Sequence, residues 1–140
     1  MIENNRPLEI FFCDITHDTI ILVSDTIPIN IGFISSYAKK QFGNNIRTHL
    51  FKYPNSVIEA LKKCKPDMLV LSNYSWNSNL SEHIASISKT LYPDIINVQG
   101  GPNFPHEPNL QLEFLKSRPN TDIYTIMEGE ISVSNIIKRN

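Results

Sequence analysis

Apolar residues in this chain fall into short runs separated by longer amphipathic stretches, and the alternation predicts strand–helix units repeated five times. Residues 8–13 (LEIFFC), bounded by Pro7 and Asp14, read as a buried strand. Residues 46–53 alternate, Ile46, Thr48, Leu50 and Lys52 against Arg47, His49, Phe51 and Tyr53, which marks a less buried edge strand. Residues 67–72 (DMLVLS) show no alternation, as expected of a central parallel strand covered on both faces. Residues 94–99 (DIINVQ) and 122–127 (DIYTIM) supply the fourth and fifth strands.

Helical spacing fills the intervals. Ile31, Ile34, Tyr37, Ala38 and Phe42 share one face of a helix over 31–42, with Asn30 as its N-cap and Gly43 as its stop. Ser56 caps a second helix with apolar positions Val57, Ile58, Ala60, Leu61 and Cys64. Leu80, Ile84, Ile87 and Leu91 give the clearest stripe, over 78–91, and Pro93 ends it. Short helices follow over 110–115 and 131–138. The expected fold is therefore α/β: a flavodoxin-like, doubly wound, five-stranded parallel sheet in the order 2-1-3-4-5, in three α/β/α layers. All of residues 1–140 form one domain, a size that buries roughly 68–70% of the unfolded surface without disulfides or a structural metal.

In such sheets ligands bind beyond the carboxyl ends of the strands. Four segments are placed there: 14–30, 72–79, 100–108 and 128–130. The first is unusually long and carries an apolar patch, Ile20-Ile21-Leu22-Val23. Gly100-Gly101-Pro102 follows the fourth strand directly; it removes two side chains where a ligand would meet backbone, and Pro102 and Pro105 stiffen the loop. The same glycines also make a plain strand-to-loop turn, and alone they do not separate the two readings. Ser72-Asn73-Tyr74-Ser75-Trp76-Asn77 gathers hydroxyls, amides and two aromatics, a mix suited to a flat, partly polar ligand; equally, Ser and Asn make turns while Trp76 caps the core. Glu128-Gly129-Glu130 opens the last helix, where Glu complements the dipole whether or not it meets a ligand.

Composition narrows the chemistry. Net charge is −1, with 19% charged and 41% hydrophobic residues, which argues against nucleic acid as partner and for a globular domain. No apolar run nears the ~18 residues of a membrane span, and the N-terminus has no signal-peptide core, so a cytoplasmic location is expected. The two cysteines, Cys13 and Cys64, fit no metal spacing and read as reduced structural thiols. Asp14, His17 and Asp18 are a weak metal set, and His49, His83 and His106 are scattered and read as surface residues. Neither GxGxxG nor GxxxxGK[ST] occurs, and no nucleophile–base pair can be read, so the domain alone is not expected to be catalytic. A phosphoacceptor receiver would end its third strand on Asp and its fifth on Lys; Ser72 and Glu128 stand there instead.

Taken in order, four stretches resemble the cobalamin-binding domains that precede the catalytic domain of many radical S-adenosylmethionine enzymes. They are Pro28-Ile29-Asn30-Ile31-Gly32-Phe33-Ile34, Lys65-Pro66-Asp67-Met68-Leu69-Val70-Leu71-Ser72, Gly100-Gly101-Pro102 and Glu128-Gly129-Glu130. The resemblance implies a module that holds cobalamin on its strand-end loops, with Ser72, Gly100 and Gly101 lining the groove for the nucleotide tail and Asn73, Tyr74, Pro102, Glu128 and Gly129 beside them. Family members that bind cobalt through a protein histidine carry DxHxxG after the first strand. Asp14-Ile15-Thr16-His17-Asp18-Thr19 has its His one position late and no Gly, so His17 is a poor axial ligand and no metal-ligating residue is expected. No CxxxCxxC occurs either, so the S-adenosylmethionine and the 4Fe-4S cluster would belong to a downstream catalytic domain, the chain being the N-terminal part of a longer polypeptide. The alternative is a cofactor-free, vestigial domain whose loops bind a substrate or a partner protein.

Overall fold

A computed structural model describes residues 6–18 and 26–139; the apolar patch over 20–23 lies outside them. Five parallel strands, β1 (Leu8–Cys13), β2 (Ile46–Phe51), β3 (Met68–Ser72), β4 (Ile96–Gly100) and β5 (Ile123–Thr125), form one sheet in the order β2-β1-β3-β4-β5. Helices α1 (Ile29–Phe42), α2 (Pro54–Lys63), α3 (Ser78–Leu91), α4 (Pro108–Lys116) and α5 (Gly129–Arg139) connect and follow them, with a 3-10 turn at Gly43–Asn45. This is the expected flavodoxin-like sheet and order. No helix among the described residues is long and apolar enough to cross a membrane.

The period of two along each strand divides the core into two layers. Ile10, Phe12, Met68, Val70 and Val98 face α1 and α5 and pack on Ile31, Ala38, Val133 and Ile137. Phe11, Cys13, Leu69 and Leu71 face the other way, onto Val57 and Leu61 of α2 and Ile84 and Ala85 of α3. Every residue of β3 is buried, which is why its sequence shows no alternation. At the edge, β2 keeps Arg47 outward, and Arg47 Nη1 (2.6 Å) and His49 Nε2 (2.9 Å) both reach the Glu9 carboxylate on β1. His49, its side chain still 42% exposed, packs edge-on to Phe11.

Several boundaries move for local physical reasons. Proline at the first helical turn, where its missing N–H costs nothing, starts α2 at Pro54 and α4 at Pro108, so Ser56 lies inside α2 and is no cap. Likewise α1 begins at Ile29 behind Pro28, which puts Asn30 in the first turn with its side chain free for another use. On α1 the buried positions are Ile31, Ser35 and Ala38, while Tyr37 turns outward. On α3 small hydroxyl residues do much of the packing. Ser81, Ile84, Ala85 and Ser88 are buried and Leu91 is exposed, because β4 presents Asn97 and Gln99 rather than aliphatic side chains to that helix. Ser88 Oγ donates to Asn97 Oδ1 (3.0 Å), and the Asn97 amide donates to the carbonyls of Ala85 and Asn120, so this buried amide is satisfied. β5 is only three residues long, because the chain after Thr125 turns at Met127, whose φ of 70° no strand residue adopts.

Two glycines make opposite demands. Gly101 has φ +143°, and a Cβ there would strike the backbone of Asn73, whose carbonyl carbon lies 3.0 Å away. Gly32 lies in α1 with open space around it. Gly101→Ala should therefore lose about 2–4 kcal/mol in urea unfolding through strain and overpacking. Gly32→Ala should gain about 0.5–1 kcal/mol at an unchanged m-value. Burial pushes the fully enclosed Cys13 thiol well up, whereas Cys64 is exposed and unpaired in a disulfide. A thiol reagent at mild alkaline pH should accordingly modify Cys64 in the folded chain and reach Cys13 only on unfolding.

Candidate functional site

The carboxyl ends of β3, β4 and β5 are joined by one buried amide. Asn73, fully buried, donates its N–H to Gly100 O (2.7 Å), and its carbonyl accepts from Asn103 N (3.3 Å). Its side chain exchanges bonds with Asn103, Nδ2 to O and Oδ1 from Nδ2, both at 3.3 Å. The same Nδ2 donates to the Tyr124 hydroxyl (3.0 Å), which in turn donates to Gly101 O (2.9 Å). Burial pushes the Tyr124 phenol up, against the opposing pull of the Asn73 bond and of Arg118, so the hydroxyl stays protonated and keeps donating. Phe104 stacks on Tyr124 at 4.1 Å, and Phe114 meets both rings edge-on. At Gly100 the constraint is softer: a Cβ there would meet Thr125 Oγ1, the side-chain hydroxyl of its cross-strand neighbour, which a rotamer change can move aside. Gly101 is thus required by the protein's own packing.

A second network lies beneath β1 and β3. Ser72 Oγ donates to Asp14 Oδ1 (2.6 Å) and accepts from Asn77 Nδ2 (2.9 Å). Asn77 also reaches Asp14 (3.4 Å), and its own Oδ1 accepts from Tyr74 N (2.8 Å). Ser81 Oγ donates to Ser72 O (2.9 Å). Ser72, Asn77 and Ser81 are all buried, so the bonds between them offset the loss of water and fix the loop after β3.

Between these networks opens a cleft of about 120 Å³. Its floor is Val70, Leu71 and Ser72; α1 contributes Asn30, Ile31 and Ile34, and α5 contributes Gly129 and Val133. Tyr74, Gly100, Gly101, Thr125 and Met127 complete the wall. None of these side chains carries a charge, so the cleft suits an uncharged, partly apolar group and gives a phosphate no cation. Met127 stands 93% exposed at the mouth in a left-handed backbone conformation, a strained non-glycine residue at the rim. Ile27, Ile29, Ile126 and Trp76 add further exposed apolar surface around the strand ends. Trp76 is 62% exposed and stacks on Tyr74, with ring centroids 4.4 Å apart and planes 6° from parallel, so it does not cap the core.

Of the residues expected at a site, Ser72, Tyr74, Gly100, Gly101 and Gly129 all line this cleft. Asn73 lies behind the wall as its brace, and Pro102 and Glu128 are exposed outside the lining. His17 is exposed and bonds through Nε2 to the Trp76 carbonyl (2.9 Å). Among the described residues no three His, Cys, Asp or Glu side chains are grouped to hold a metal. Sequence reasoning missed Asn30, Thr125 and Met127. Asn30 was spent on a cap, and the strand assigned to 122–127 hid the turn that brings Met127 to the rim.

Comparison with known proteins places these features in context. No family model matches the chain. It is 27% identical over 116 residues to the cobalamin-dependent radical SAM methyltransferase TokK of Streptomyces tokunonensis. It is 26% identical over 116 residues to the 2-(S-pantetheinyl)-carbapenam-3-carboxylate methyltransferase of Streptantibioticus cattleyicolor. Both matches cover 79% of this chain and only 16% of the relative's length. The resemblance to cobalamin-dependent radical SAM enzymes is therefore real at the level of sequence. In fold, the chain is similar to a cobalamin-binding protein from Desulfitobacterium hafniense, with a TM-score of 0.67 and 12% identity over 96% of this chain and 59% of that one. It is also similar to the pilus assembly protein CpaE of Caulobacter crescentus, with a TM-score of 0.59 and 13% identity over 96% and 98% of the two chains.

Releasing the strain at the rim gives a direct check on the turn. Met127→Gly should raise stability by about 1 kcal/mol in denaturant unfolding, because glycine accepts the positive φ without the side-chain penalty.

Proposed function

We propose that the chain is a cofactor-binding module that holds cobalamin, without a histidine on the cobalt, for a radical S-adenosylmethionine catalytic domain in the same cytoplasmic polypeptide. The observation that carries this reading is the uncharged cleft at the ends of β3, β4 and β5, in a chain whose sequence relatives are far longer methyltransferases. The residues present fit the neutral base at the end of the nucleotide tail, whose phosphodiester finds no cation in the lining and stays outside the cleft. A cleft of about 120 Å³ is far too small for a corrin and is limited to the width of a tail. Val70, Leu71 and Val133 offer it apolar contact, and Ser72 and Thr125 offer hydroxyls. The exposed Trp76, Ile27, Ile29 and Met127 around the mouth are the surface for a broad, flat macrocycle. When bound, cobalamin supplies a cobalt centre able to carry and transfer a methyl group. This chain's own part is to bind and orient it: the Asn73 and Tyr124 brace holds the glycine wall rigid, and the Asp14–Ser72–Asn77 network holds the loop after β3. His17, with Nε2 committed to the Trp76 carbonyl, favours a cobalt free of protein nitrogen.

Trp76 is the sole tryptophan and gives the experiment its signal. Mixed with hydroxocobalamin and desalted, the chain should retain a stoichiometric corrin spectrum and lose most of its tryptophan emission. No retained corrin, even with the catalytic domain supplied, would overturn the cofactor reading. It would favour the alternative, a cofactor-free domain of the same fold whose loops bind a substrate or partner protein. Because Gly101 is needed by the fold and the cleft floor belongs to the core, the discriminating substitution is at the half-buried lining residue Ile34 on α1. Ile34→Phe should weaken retention roughly tenfold or more by filling the tail space.

A further inference from the structure

One contact at the cleft differs from the others in position. The amide of Asn30, in the first turn of α1, donates to the Tyr74 hydroxyl on the loop after β3. Both residues line the cleft, so the bond spans it from helix to loop. The opposite wall is bolted through Asn73 and Tyr124 by several bonds and a stacked ring. Here a single neutral hydrogen bond joins an exposed amide to a phenol that accepts it and keeps its own proton for a further partner. Burial chiefly, with the nearby Asp14 charge, pushes that phenol up, so it is a neutral hydroxyl with a proton to give.

We infer that Asn30 and Tyr74 form a latch: each satisfies the other while the cleft has its present narrow width, and each exchanges that bond for one to the entering ligand. This rests on the proposed function for its ligand, the tail of cobalamin. The phenol ring is the moving part. Its backbone is held by Asn77 Oδ1, and its only ring partner among the described residues is the exposed indole of Trp76, so side-chain rotation widens the cleft without disturbing the loop. Trp76 therefore reports the latch directly.

The test uses the chain with Tyr74→Phe and Asn30→Ala, which cut the same bond from its two ends while leaving the core networks untouched. In the absence of any corrin, both substitutions should change the emission lifetime of Trp76, because a freed ring at position 74 no longer holds the stack. In stopped-flow quenching, both should speed association of hydroxocobalamin about threefold to tenfold, the scale of one neutral hydrogen bond. Both should leave association of cobinamide, which lacks the nucleotide tail, unchanged. An unaltered Trp76 lifetime in both variants overturns the latch whether or not corrin binds. Equal acceleration of both corrins, or none, overturns its coupling to the tail. Failure of all three proteins to quench with hydroxocobalamin removes the cofactor reading alone and leaves the lifetime result to judge the latch.

Discussion

Two stretches of backbone lie side by side at the top of the sheet, Gly101 against Asn73, too close for any side chain between them. That approach sets the spacing of the loops after β3 and β4. Asn73 N–H to Gly100 O extends the β3–β4 ladder past the end of β3, and Tyr124 draws β5 into the same knot. With these ends fixed, the gap between them and the first turns of α1 and α5 becomes a cleft of defined width. Loop flexibility would otherwise fill such a gap by collapse. The asymmetry of the cleft, one wall braced and one held by a single bond, follows from where these contacts fall.

Much of the scaffold was legible in the sequence, because its main determinants are periodicities. β1 and β3 read as buried runs, β2 as an alternating edge, and the strand order followed from right-handed crossovers. Less legible were features set by a single residue's neighbours. Ser35, Ser81 and Ser88 are buried by small size and by amide partners on β4, which no apolar stripe reveals. Prolines, more than capping side chains, begin α2 and α4.

The site was legible in outline for a related reason. Loops that follow parallel strands must lie together, so Ser72, Gly100 and Gly129 were bound to be neighbours once the order was known. What the sequence could not assign was direction. Asn73 points inward and Trp76 outward although they stand three positions apart, and that difference comes from hydrogen bonds to Asn103 and Tyr124 that lie 30 and 51 residues downstream.

The glycine pair carries a wider lesson. Because a methyl at Gly101 would meet the backbone of Asn73 at a positive φ, mutation there is selected against by folding alone, whereas one at Gly100 would meet the movable hydroxyl of Thr125. A relative with no ligand at these loops would keep Gly101 all the same. Gly101 is thus a marker of architecture, and evidence of occupancy has to be sought at the exposed rim, at Asn30, Trp76 and Met127, whose side chains lie outside the core.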